Sequence, residues 1–161
     1  MNIPKINNSH DRITEIYNYI LHEIIKPILK NSTTYSSDLD KLGCKLLNNF
    51  IGVCSSDNMP HSKNNSFCFI CNLDDSHKSG SHWVGIYVKN NNMYCYDSFG
   101  RDINNILHNY IISYSKKYNY NIINSDLTDR EQEIKQFNCG QRSLCFLIIC
   151  HHFSIKDALT I

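Results

Sequence analysis

Ser81-His82-Trp83-Val84-Gly85-Ile86-Tyr87-Val88-Lys89-Asn90-Asn91-Asn92-Met93-Tyr94-Cys95-Tyr96-Asp97-Ser98-Phe99-Gly100 is the stretch that decides the fold. Two runs of strand character, His82–Val88 and Met93–Tyr96, flank the polar run Lys89–Asn92. That pattern predicts two antiparallel strands closed by a hairpin turn. A hairpin brings its second strand back to the end where the first began. His82 heads one strand and Asp97 closes the other, so the two are expected side by side at one end of a sheet. There a carboxylate can orient an imidazole.

Working outward, Phe67–Leu73 reads as a further strand, Ile103–Ser115 as a helix and Tyr118–Asn124 as a strand. A final helix is expected to start at about Cys139 and to carry Leu144, Phe146, Leu147, Ile148 and Phe153 into the core. Upstream, Ile13, Ile16, Tyr17, Ile20, Leu21, Ile24, Ile25, Ile28 and Leu29 recur at three- and four-residue spacing, an amphipathic helix with Arg12, Glu15, Glu23 and Lys30 on its other face. Ser9 or Asp11 suits its N-cap, and Pro27 is expected to kink it. The apolar stripe reads as core, with a partner-binding face as the alternative. Residues 31–37 read as a linker, Asp38–Phe50 as a second helix and Gly52–Pro60 as a loop. The expected class is α+β with a central mixed sheet: an N-terminal helix and linker over 1–37 and a main domain over 38–161, in one globular unit.

Cys139 falls where a loop becomes a helix, and the unpaired amides and partial positive charge of a helix start favour a thiolate. With His82 as base and Asp97 as its orienter, the parts of a cysteine nucleophile are present. Gly140 leaves room for a substrate backbone to approach. The Cys139 amide can donate to an oxyanion, with the Gln132 side chain as second donor. Gln136 is a rival, although only three residues of chain separate it from the cysteine. Asp102 is the alternative to Asp97 if the hairpin register differs.

Composition bounds the rest. The chain has 161 residues, a net charge of +1 and a pI near 7.6. No overall basic field exists to drive nucleic-acid binding, so DNA binding is unsupported by charge, while a local patch formed on folding stays open. Met1–Lys5 lacks a signal-type apolar run, and no stretch reaches the length of a membrane span. A soluble protein of the cell interior, not secreted and not bound to a membrane, is expected. Its eight cysteines then read as reduced thiols. Cys68 and Cys71 form a C-x-x-C inside a strand-like run without turn residues, a poor zinc site. Cys145 and Cys150, followed by His151 and His152, read as small buried hydrophobes before they read as metal ligands. No metal or other cofactor is expected.

The segments Gly80-Ser81-His82-Trp83-Val84, Tyr96-Asp97-Ser98-Phe99-Gly100 and Cys139-Gly140-Gln141 resemble the His-Trp, acidic-Ser-Phe-Gly and Cys-Gly motifs of the adenovirus-type (adenain-like) cysteine proteases, which in turn resemble the SUMO and ubiquitin-like proteases. Leu42-Gly43-Cys44, Phe50-Ile51-Gly52-Val53 and Asp57-Asn58-Met59-Pro60 resemble the lead-in of the viral branch, so the likeness covers residues 38–153. Gln132 precedes Cys139 by seven residues, as in the adenovirus type; the SUMO proteases usually use one fewer, where Glu133 stands here. Residues 133–138 are bulkier and more charged than the family's small polar run. The resemblance implies a papain-like core in which Cys139 attacks, His82 moves the proton, Asp97 orients His82, Gln132 helps hold the oxyanion and Trp83 packs beside the dyad. It further implies a protein or polyprotein substrate, such as a viral capsid or core precursor, with location in the host cell interior or the virion. A peptide or DNA activator is known among such enzymes, and no residues here locate one. Removal of ubiquitin-like modifiers, or a non-catalytic assembly role with the N-terminal helix as contact surface, are the alternative functions.

Overall fold

A computed structural model describes residues 9–30, 35–78, 81–127, 130 and 138–161. Its centre is a five-stranded mixed sheet in the order β1-β2-β3-β4-β5, with β1 Phe50–Cys54, β2 Ser66–Asn72, β3 Trp83–Lys89, β4 Asn92–Tyr96 and β5 Asn121–Asn124. The outer pairs are parallel and the inner pairs antiparallel. The β3–β4 hairpin turns through Asn90 and Asn91, both at positive φ (51° and 60°). Asparagine tolerates that left-handed backbone, and a turn of this hand matches the twist of the strands.

Side-chain alternation along the strands builds two cores. Cys68, Ile70, Tyr87 and Tyr96 face one side, against the long helix α6 (Cys139–His152) and the N-terminal helix. Phe67, Phe69, Cys71, Val84, Ile86, Val88, Met93 and Cys95 face the other, against Ile103, Leu107, Ile111 and Tyr114. In α6, Leu144, Phe146, Leu147, Ile148 and Ile149 are wholly buried. Each such side chain contributes on the order of 1.5–3 kcal/mol, several times what a surface ion pair supplies, so apolar packing decides the position of this helix. Gly85 lets it come close: a Cβ there would stand 3.1 Å from the Ser143 carbonyl of α6. Ser143 Oγ in turn donates to the Trp83 carbonyl at 3.1 Å. The start of α6 is thereby pinned beside the start of β3.

The N-terminal helix belongs to the same core. Ile13, Ile16, Tyr17, Ile20, Leu21 and Ile25 are buried as its spacing predicts, whereas Ile28, counted in the same stripe, is 53% exposed. It runs as α1 (Ser9–Tyr19), a π-helical turn over Ile20–Ile25, and α2 (Lys26–Leu29). The kink expected at Pro27 takes the form of that widened turn: the Lys26 amide reaches back five residues to Leu21, and Pro27, which has no amide to donate, lies in the first turn of α2.

Three expected boundaries are corrected. The second helix, α3, spans Ser36–Leu46 and does not run to Phe50; Phe50–Cys54, read as a helix end and a loop, is strand β1. Its ladder is irregular between Phe50 and Val53, where Gly52 sits at φ 127°, which erased the alternation that marks a strand. The helix expected over Ile103–Ser115 is two helices, α4 (Ile103–Ile106) and α5 (His108–Tyr118), broken at His108 with φ 43°. Tyr118 belongs to α5 and not to a strand, because the left-handed Asn119 ends the helix there and delays β5 to Asn121. A last turn, α7, covers Ile155–Ala158. No described helix is long and apolar enough to cross a membrane.

Candidate active site

His82 immediately precedes β3 and Asp97 immediately follows β4, and the ladder that pairs Gly85 with Tyr96 sets them at one sheet end. Both are buried, at 6% and 4% exposure. His82 Nε2 and Asp97 Oδ1 are 2.5 Å apart, a charge-assisted hydrogen bond. The His82 backbone is held too, its carbonyl accepting from the Leu73 amide at 3.0 Å. Beside it, the buried Asn72 carboxamide accepts from the amides of Asp74 (2.8 Å) and Ser81 (3.4 Å), which closes the base of the loop that leads into His82.

Because Nε2 is committed to Asp97, Nδ1 is the ring nitrogen left for Cys139, the first residue of α6, with which His82 shares a hydrogen bond. Burial would raise the Cys139 thiol, but the hydrogen bond and charge of His82, with the backbone amides of Trp83 and Gly140, outweigh it and bring the thiol below its ordinary value. Burial would lower His82, and its bonds to Asp97 and Cys139 outweigh that and raise it. Both shifts run in the direction that favours a thiolate–imidazolium pair. Elsewhere burial pushes the thiols of Cys68, Cys95, Cys145 and Cys150 up, and Cys71 is raised by its hydrogen bond with Cys54 and by burial.

One residue of this cluster was not foreseen. Arg101 Nε donates to Asp97 Oδ2 at 2.6 Å, and its guanidinium lies 5.1 Å from the centre of the Phe99 ring. Phe99 also faces the His82 ring at 4.9 Å and the Arg130 guanidinium at 4.9 Å. Burial would raise the Asp97 carboxyl, and His82 and Arg101 together hold it below its usual range. The spacing from Asp97 to Arg101 was the available signal, but a four-residue interval pairs side chains reliably only in a helix, and this is a turn. With the Arg101 side chain 43% exposed, solvent screens the pair. Arg101→Ala is accordingly expected to slow alkylation of Cys139 only about three- to tenfold. It also lets Asp97 rise toward its ordinary value, so the acid-side loss of reactivity should begin at higher pH. A pH–rate profile of the variant superimposable on the native one would refute this role.

The other expectations sort clearly. Asp102 is not beside His82: its carboxylate caps α4 through the Asn104 amide at 2.8 Å and accepts from Asn124 Nδ2 at 3.1 Å. Trp83 is half-buried at the head of β3, its Cδ1 lying 3.3 Å from where a Gly140 Cβ would be. On the same side Leu39 Cδ1 would stand at 2.6 Å, so the missing side chain of Gly140 serves close packing of α6 on α3. Gln132 and its rival Gln136 lie outside the described residues. Cys68 and Cys71 face opposite sides of β2, one in each core, which separates the two sulfurs of the C-x-x-C. His152 gives its ring nitrogen to the Leu46 carbonyl at 3.2 Å. Among the described residues no group of three or more His, Cys, Asp or Glu could hold a metal ion. No protein-family model and no curated protein matches the chain.

Proposed function

We propose that the chain is a cysteine endopeptidase of papain-like, adenain-like architecture, in which Cys139 is the nucleophile. The observation that carries this reading is the line Cys139–His82–Asp97: the one buried cysteine whose thiol is lowered hydrogen-bonds an imidazole that a buried carboxylate orients. The His82-Trp83, Asp97-Ser98-Phe99-Gly100 and Cys139-Gly140 motifs support the same family, and with it a protein precursor, such as a viral capsid or core polyprotein, as substrate.

In this mechanism the Cys139 sulfur attacks the scissile carbonyl and forms a tetrahedral oxyanion. The Cys139 amide at the head of α6 is one donor to that oxygen, and Gln132 is the family's candidate for a second. His82, protonated, gives its proton to the leaving amine, and the C–N bond breaks to leave a thioester. His82 then takes a proton from water, whose oxygen attacks the thioester; the C–S bond breaks to release the acid and leave the thiolate beside the imidazolium, the starting pair. Asp97 keeps Nδ1 facing the sulfur throughout and stabilises the imidazolium.

The test is site-resolved alkylation with iodoacetamide, followed by a peptide-substrate screen. At about pH 6, where ordinary thiols are almost wholly protonated, Cys139 is expected to outpace the exposed Cys44 by at least about tenfold. Equal rates would overturn the proposal. Capture of Cys139 by a ubiquitin-type C-terminal electrophile, with no peptide cleaved, would replace the endopeptidase with an isopeptidase.

A further inference from the structure

The residue before the nucleophile, Asn138, is the N-cap of α6. Asparagine at an N-cap ordinarily turns its side-chain oxygen onto the amide of the second or third helical residue. Asn138 makes no such bond. Its Oδ1 accepts instead from Arg142 Nε at 3.1 Å. Arg142 is itself 9% exposed, and its Nη1 donates to the Tyr17 hydroxyl at 3.1 Å. Tyr17 comes from α1; its hydroxyl is 3.0 Å from that of Tyr96, and its carbonyl accepts from Cys145 Sγ at 3.3 Å.

The second helical residue of α6 is Gly140, and its amide is one of the two backbone donors directed at the Cys139 sulfur. An Asn138 oxygen in the usual capping position would compete for that donor or for its neighbour. We propose that Arg142, held in place by Tyr17, is a positioning residue for Cys139: it draws the Asn138 side chain off the head of α6 and so leaves the Gly140 amide to the thiolate. This rests on reading Cys139 as the nucleophile. A nearly buried guanidinium is costly unless its donors are filled, and Tyr17 fills one of them from a helix that lies outside the family likeness. Tyr96 directly precedes Asp97, so the same contacts brace the carboxylate arm as well. The N-terminal helix thus acts on the site through Tyr17.

The experiment compares the native chain with Arg142→Gln, Tyr17→Phe and the double variant Arg142→Gln/Asn138→Ala. Each is read by the pH profile of Cys139 alkylation with iodoacetamide, with Tm measured in parallel. Loss of a donor to a thiolate should slow Arg142→Gln about tenfold at about pH 6, and the milder Tyr17→Phe about threefold. Adding Asn138→Ala should restore most of the Arg142→Gln loss, because the competing oxygen is gone. A merely structural role predicts a lower Tm with no such rescue, and that result overturns the proposal. If Arg142→Gln does not fold, Tyr17→Phe decides: a folded Tyr17→Phe with the native profile overturns it. Native Cys139 reacting no faster than Cys44 refutes the nucleophile assignment and this inference together, whereas fast native Cys139 with unchanged variants refutes only the role of Arg142.

Discussion

Cys139→Ala is expected to abolish peptide hydrolysis and leave the fold standing. The sulfur is the only heavy atom lost, and Cys139 lies at the rim of the core with 8% exposure, as the first residue of a helix anchored by five wholly buried apolar side chains. Truncating a small side chain there costs on the order of 1 kcal/mol, a fraction of a domain's stability. The proposed mechanism has no substitute for the atom that would form the thioester. Removing a nucleophile from a working set of this kind lowers kcat by at least about 10³-fold, whatever remains of oxyanion stabilisation. Turnover of a peptide substrate, circular dichroism and Tm together check this. A variant that keeps native turnover would place the nucleophile elsewhere, and one that unfolds would show that the thiol's hydrogen bond to His82 had been underrated.

The second large effect is expected from Asp97→Asn. The carboxamide is nearly isosteric, so packing should survive, but two things change. The imidazolium of His82 loses its counter-charge, and the amide NH2 can now donate to Nε2, which would move the ring proton to Nδ1 and point it the wrong way for deprotonating the sulfur. A fall in kcat of about 10²–10⁴-fold follows. The pH dependence gives a sharper signature. His82 is raised in part by Asp97, so in the variant it should fall and the alkaline limb of the profile should move to lower pH. Cys139 is lowered by His82, so with less imidazolium at hand its acid limb should move up. The bell is expected to narrow from both sides, and a uniform drop with unchanged limbs would contradict the orienting role. Stability follows the same linkage: Asp97, lowered by its partners, stabilises the fold above the ordinary carboxylate range and loses this as pH falls, while His82, raised, stabilises below its ordinary value and loses this as pH rises.

The parts of this site legible in the sequence were those set by local rules. The hairpin followed from strand-like runs and an asparagine turn, and it dictated that His82 and Asp97 meet. The start of α6 at Cys139 and the buried stripe of α1 followed from apolar spacing. What escaped was set by interactions that local patterns do not encode. Strand β1 was hidden because Gly52 interrupts its ladder and its exposure does not alternate. Arg101 was hidden because its pairing with Asp97 depends on the shape of a turn. The Tyr17–Arg142 contact joins residues 125 apart, and no spacing rule reaches across that distance. Gly140 carries a packing role that its place beside the nucleophile did not reveal: Leu39 lies where its side chain would be.

The order in which these parts are made has its own consequence. Helix α6 is the central prop of one face of the sheet and comes late in the chain, while the helix it grips through Tyr17 comes first. A ribosome therefore delivers α1, His82 and Asp97 well before Cys139, and contacts this distant in sequence close late in folding. Until α6 docks, Cys139 is an ordinary thiol without an imidazole at its side. The proposed protease is thus inert until its synthesis has passed the nucleophile and α6 has docked, and cannot cut neighbouring nascent chains before then.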